Sequence, residues 1–209
     1  MLSGFAALIT APTIIIAALI GKRAVSDFRD QKKADKEIDV ADKILATSYQ
    51  LRTAIIDMRN TIADGYDYFE VHSQLAQRIN LETLTIERKD RMVRVGMMHH
   101  RALKYKTLFD QAQEVLAFAR AYFPEQISEK YRGLAEVYKN LLLFADGYAG
   151  GLGEEDAVGF LETKKFIFAG GINGSPDEFA KSVNDDVGLL ERELFPIIRS
   201  SSINFRRNA

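Results

Sequence analysis

The chain has no cysteine and only four prolines, and its first twenty-one residues hold no charged side chain. Without cysteine there are no disulfides, thiolate metal sites or cysteine nucleophiles, a usage that fits a reducing compartment. A formal net charge of −1 over 209 residues removes any global electrostatic drive toward nucleic acid, so such binding would need a local patch. What is present is a globular composition, 47% hydrophobic and 27% charged. Beyond the uncharged run, about 185 residues remain, enough for a core of their own.

The uncharged run, Met1 to Gly21, reads MLSGFAALITAPTIIIAALIG and leads directly into Lys22-Arg23. As a helix it is about 31 Å long, close to the roughly 30 Å hydrocarbon core of a bilayer. That match predicts a transmembrane anchor. A cleaved signal peptide would need a basic n-region and an A-x-A-like site, and neither is here. A buried core helix is the other alternative, and this run is long for one. Pro12 falls mid-span, where neighbouring groups can re-satisfy the backbone of a spanning helix. Lys22, Arg23, Arg29, Lys32, Lys33 and Lys36 follow the run and no basic residue precedes it. This juxtamembrane set predicts, by the positive-inside rule, an outside N-terminus and a cytoplasmic body. The expected location is the cell membrane, with a single pass.

The rest reads as helices. From Ala24 to about Ala63 there is neither proline nor glycine, and Ala41, Ile44, Ser48, Leu51, Ile55, Met58 and Ile62 recur at alternating three- and four-residue spacing. That is a heptad seam, stopped at Asp64-Gly65, where glycine can take the left-handed conformation of a helix end. A second tract, about 73–123 with a break expected near Gly96, repeats the seam at Ala102, Tyr105, Phe109, Ala112, Leu116, Ala119 and Phe123. Pro124 closes it. A third tract, 125–147, carries Ile127, Tyr131, Leu134, Tyr138, Leu141, Ala145 and Tyr148. Glycine then dominates, with a short segment at 154–168 readable as helix or, at Phe166-Ile167-Phe168, as strand. Ser175-Pro176-Asp177-Glu178 predicts a capping box opening a last helix, 175–198, striped by Phe179, Val183, Val187, Leu190, Leu194 and Ile197. Pro196 should bend or end it, leaving 200–209 as a polar tail. The domain reading is an anchor at 1–21 and an all-α, antiparallel, coiled-coil-like bundle at 22–199.

The stretch YQLRTAIIDMRN (Tyr49 to Asn60), the basic helix before it, and DEFAKSVNDDVGLLERELFPII (Asp177 to Ile198) together resemble a set of uncharacterised bacterial proteins. Those have one N-terminal transmembrane helix and a helical cytoplasmic body. The resemblance implies an architecture and no activity.

The densest cationic stretch is Arg88, Lys89, Arg91, Arg94, Arg101, Lys104 and Lys106. Folded back from a turn near Asp67, it would lie alongside residues 28–46. It then suits anionic lipid headgroups or nucleic-acid phosphates. The plain alternative is ion pairing with Asp30, Asp35, Glu37, Asp39 and Asp42 of the facing segment. His99 and His100 point about 100° apart on a helix and cannot share a metal as residues four apart can. Arg94 and His99 match the arginine-to-histidine spacing of the HEPN family of all-helical ribonucleases. There the pair serves in-line attack by a ribose 2′-hydroxyl on the adjacent phosphate, although Val95 stands where that family has a polar residue. Gly150-Gly151-Leu152-Gly153 is followed by Glu154-Glu155-Asp156, which would repel a phosphate, so it reads as a connection. Asp185-Asp186 and Glu191 with Glu193 lack the Glu-x-x-His pairing of a di-iron bundle. No metal or other cofactor is implied.

These readings converge on a non-enzymatic, membrane-tethered interaction or scaffold module, with seams able to pair between chains as a homo-oligomer or with a protein partner. The alternative is a membrane-tethered HEPN-like ribonuclease using Arg94 and His99. A body signalling through the anchor is a third, weakened by the near absence of an outer segment.

Overall fold

Apolar residues three and four apart put one stripe on each long helix, and four such stripes meet. In the computed structural model the described residues are 3–60, 65–151, 157–168 and 177–207, with side chains 3–19, 65–66, 157–158 and 200–207 outside the description. The helices are α1 (Ser3–Arg59), α2 (Gly65–Arg78), α3 (Ile86–Tyr122), α4 (Glu125–Gly150), α5 (Ala157–Ile167) and α6 (Glu178–Arg207), and no strand occurs among the described residues. Ala41, Ile44, Ser48, Leu51, Ile55 and Met58 of α1 are buried, as are Phe109, Ala112, Leu116 and Ala119 of α3, Tyr131, Leu134, Leu141 and Ala145 of α4, and Val183, Val187, Leu190 and Leu194 of α6.

Cross-helix pairs fix the directions. Tyr49 bonds Glu191 and Arg59 bonds Asp177, so α6 runs antiparallel to α1. Tyr105 reaches Asp57 while Leu108 and Gln111 flank Tyr49, so α3 is antiparallel to α1 as well. His99 pairs with Asp146 and Gln113 with Ala135, so α4 returns along α3. The result is an up-down-up-down four-helix bundle of α1, α3, α4 and α6, with α2 lying on α3 and α5 on α4. Lys130 ties α4 to α6 through Asp186 at 2.7 Å.

The transmembrane anchor expected over 1–21 is corrected at this point. Among the described residues no helix is long and apolar enough to cross a membrane. The stretch does not end at Gly21: α1 continues unbroken to Arg59. Its side chains are described from Ile20, and from there to Lys36 every one is exposed, including Lys22, Arg23, Arg29, Lys32, Lys33 and Lys36. The side chains of the apolar run before Ile20 fall outside the described residues. The single pass, the outside N-terminus, the cell-membrane location and the lipid-headgroup contact all depended on that span, and they are corrected with it.

Local chemistry moved other boundaries. The expected tract at 73–123 is divided: α2 ends at Arg78, a 3-10 turn occupies Leu81–Thr83, and α3 starts at Ile86. Two side chains make that division. Asn80 accepts the Glu82 N–H at 3.1 Å, and Thr85 accepts the Arg88 N–H at 3.3 Å, each satisfying an otherwise orphaned donor. No break occurs at Gly96. Among the described residues Asp177 caps α6, its Oδ1 accepting the Ala180 N–H at 3.0 Å; Ser175, expected as the cap, and Pro176, like Asp64 and Ile62, lie outside the described residues. Phe166 and Ile167 belong to α5, and α6 passes through Pro196 to Arg207. Gly151 ends α4 with φ 79°, the left-handed conformation that glycine adopts without a Cβ penalty.

Candidate functional site

Two buried arginines set the frame. Arg59, 1% exposed, donates Nε to Phe166 O at 2.9 Å and Nη2 to the carbonyls of Lys165 and Phe168. Its two terminal nitrogens also grip Asp177, at 3.0 and 3.1 Å, and Phe179 stacks on the guanidinium at 4.3 Å. One side chain thus satisfies the last carbonyls of α5 and holds the cap of α6. Arg101, 4% exposed, repeats the device. It donates to Asp57 O and Asn60 O at the end of α1 and pairs through Nε with Asp67 in the first turn of α2, at 3.0 Å. A planar fork of five donors suits acceptors spread in this way.

The Arg101–Asp67 pair seats the start of α2 on α3. A second tie follows one turn later: Glu70 lies 3.9 Å from His100 Nε2 and accepts from Gln74 at 3.3 Å. Beyond the two ties Val71 enters a notch at Gly96, where an added Cβ would stand 2.5 Å from Val71 Cγ1. Val71, Val93 and Met97, with Leu75, form a small apolar cluster apart from the main core.

On the other side of this contact α2, α3 and α4 wall a groove of about 440 Å³. Val71, Leu75, Met92, Leu103, Tyr138 and Leu142 give it apolar walls, and Gln74, Arg78, His99 and His100 supply the polar groups. His99 reaches across to α4, its Nε2 2.8 Å from Asp146 Oδ1, whereas His100 turns toward α2. The adjacent histidines therefore serve opposite walls. Among the described residues no group of three His, Cys, Asp or Glu is placed to hold a metal ion. Leu103 stands 71% exposed at the rim.

The seven cationic candidates on α3 are dispersed around it. Arg88 and Lys104 are exposed and Lys89 is half-buried. The Arg91 guanidinium lies 5.5 Å from the ring of Phe160 and 5.9 Å from that of Tyr148. Arg94 pairs with Asp90 at 2.7 Å, Lys106 with Asp110 at 2.6 Å, and Arg101 is the buried tie described above. The stretch does not lie beside residues 28–46: α3 meets the far end of α1, at Asp57 and Asn60, because α2 occupies the chain between them. The ribonuclease reading is corrected too. Arg94 pairs with a carboxylate of its own helix and the His99 ring hydrogen-bonds a carboxylate of α4, so the two side chains are engaged by separate partners.

Several tyrosines are embedded in this frame. Burial, then the bond to Asp57, raises the Tyr105 phenol above its ordinary value. The bond to Glu191, with burial behind it, does the same for Tyr49. Burial raises Tyr148 against the opposing charge of Arg91. Tyr131 is wholly buried, and its hydroxyl has no hydrogen-bond partner, while the Thr47 hydroxyl donates to Lys43 O at 2.7 Å. Burial pushes it up furthest, with Thr47 offsetting a part.

Sequence reasoning assigned no role to Arg59, Asp67, Arg78 or Asp146. Arg59 had a signal: it lies four residues after Ile55, on the seam side of the last turn of α1, where a base can reach free carbonyls. Arg101 likewise falls three residues after Met98 and four before Tyr105, on a stripe otherwise apolar.

No protein family, curated protein or solved structure matches the chain. The resemblance to single-pass bacterial membrane proteins is corrected accordingly, and what stands is an all-α bundle.

Proposed function

We propose that this chain is a binding module that takes a small, largely apolar ligand into the groove between α2, α3 and α4. The observation that carries this reading is the groove itself. Its volume of about 440 Å³ falls within the roughly 300–1,000 Å³ of ligand pockets, and apolar walls are interrupted by a few polar groups able to orient a guest. Binding is favoured over covalent catalysis because no serine, threonine, lysine or cysteine lines the groove beside His99, and Tyr138 brings its one hydroxyl. Burying apolar ligand surface supplies the affinity, at about 25 cal/mol per Å² removed from water.

The test is titration of the full chain with anilinonaphthalene sulfonate, a fluorophore that brightens in apolar sites, beside a Leu103→Asp variant. Leu103 is exposed, so this change leaves the core intact while placing a charge on the groove wall. The expected result is saturable binding that weakens about tenfold in the variant, a loss of about 1.4 kcal/mol. Equal binding by both proteins would remove the groove as the site.

A further inference from the structure

We infer that the groove selects an aliphatic monocarboxylate, its head on Arg78 and its chain along Leu75, Met92, Leu103 and Leu142. The inference rests on the groove being the binding site and adds the ligand's class. Three features of the wall lead to it.

The first is sign. Arg78 is the one arginine or lysine among the lining residues, and no aspartate or glutamate lines the groove. Asp146 lies 2.8 Å from His99 Nε2 and Glu70 3.9 Å from His100 Nε2, and neither belongs to the lining. A cationic guest would meet Arg78 with no counter-charge on the wall, and the attraction runs the other way for an anion.

The second is an exposed guanidinium without a carboxylate among the described residues, a state Arg78 shares with Arg88 and Arg120, which lie outside the groove. Arg59, Arg94, Arg101 and Arg132 each hold a carboxylate. No carboxylate of the described residues pairs with Arg78. One turn back on α2, where a helical ion-pair partner would sit, the residue is Gln74. The Arg78 fork is therefore available for two parallel hydrogen bonds to one carboxylate, the geometry in which arginine binds such groups most strongly.

The third is the charge that the wall can neutralise. One guanidinium matches a monoanion, whereas a phosphate monoester or a polyphosphate brings more negative charge than Arg78 alone can offset. The apolar remainder of the wall is continuous from α2 across α3 to α4 and suits a flexible hydrocarbon chain. A volume near the lower end of the ligand-pocket range matches one chain better than a dinucleotide-sized guest.

Calorimetric titration of the full chain with decanoate, decan-1-ol and decyltrimethylammonium, each below its aggregation threshold, separates the possibilities. Arg78→Gln and Leu103→Asp proteins, with helix content checked by circular dichroism, are titrated beside the unaltered chain. Decanoate should bind at least tenfold tighter than the alcohol, and the cation weakest of all. Arg78→Gln should lose tenfold or more for decanoate and leave the alcohol unchanged, while Leu103→Asp should weaken both. If alcohol and carboxylate bind alike, or if Arg78→Gln does not discriminate between them, the carboxylate assignment is overturned while the groove stands. If neither decanoate nor the alcohol binds, or if Leu103→Asp changes nothing, the groove and the ligand class fall together.

Discussion

Arg59 is the side chain whose loss the fold should tolerate least. Replaced by methionine, which fills much of its volume, it leaves three carbonyls at the end of α5 without their donor and Asp177 without its buried partner. Removing one member of a buried pair costs about 3–5 kcal/mol, and the partial exposure of Asp177 places Arg59→Met near the lower figure. Arg59→Lys should recover less than half, because an ammonium is a point charge and cannot span acceptors from two helices. Urea unfolding of the three proteins checks both statements, and a methionine variant within about 1 kcal/mol of the parent, a roughly fivefold change in the folded-to-unfolded ratio, would contradict them. Tyr131 is the opposite case. Its hydroxyl is buried without a partner, so Tyr131→Phe removes a desolvated group and should be neutral or stabilising by up to about 1 kcal/mol. A clear loss of stability on the same urea curves would mean that the hydroxyl is satisfied after all.

At the scale of elements, α2 is set apart from the four-helix core. It packs on α3 through Val71 and Leu75 and two polar ties, apart from the main core. Its amides should therefore exchange with solvent sooner than those of the α1, α3, α4 and α6 seams. Gly96→Ala tests what seats it. Alanine favours a helix by about 1 kcal/mol over glycine, but its Cβ would collide with Val71 Cγ1, and valine on a helix has little rotamer freedom with which to move. The global urea midpoint should change little while exchange in α2 accelerates. Adding Val71→Ala relieves the collision, so the double variant should regain the slow exchange lost at the Gly96 contact. The long helices were legible in the sequence because their stripes repeat over many turns, and periodicity survives any detail of tertiary contact. The split between α2 and α3 was written there as well, in Asn80 and Thr85, but capping residues in a stretch without proline or glycine are easily passed over. The groove was not legible. It depends on α2 folding over α3, a tertiary event, and on Arg101 being a buried tie where a run of like charges suggested a surface.

The whole molecule adds these terms in its response to pH. Tyr49, Tyr105, Tyr131 and Tyr148 are all raised above the ordinary phenol value in the folded state. In the unfolded chain they ionise near pH 10. Between the two values the folded state keeps protons that the unfolded state has lost, so this contribution is complete below about pH 10 and declines as the pH rises further. Urea midpoints should therefore fall between pH 9 and pH 11, and fall less steeply in Tyr131→Phe; a flat response would deny the burial of these phenols. The doubled arginine device has a different consequence, one for the connectivity of the chain. Arg59 joins the last carbonyls before residue 169 to the carboxylate at residue 177 without using the peptide between them. The two helix ends are already neighbours by side-chain chemistry, so the covalent link is free to lengthen. Doubling the stretch 169–176 with a glycine–serine insert should cost only about 0.6 kcal/mol of closure entropy. In an Arg59→Met background, the same insert should cost more, because α6 then loses both the clamp and the short tether. Comparing the insert's cost in the two backgrounds measures how far this segment is a permissive site for grafting.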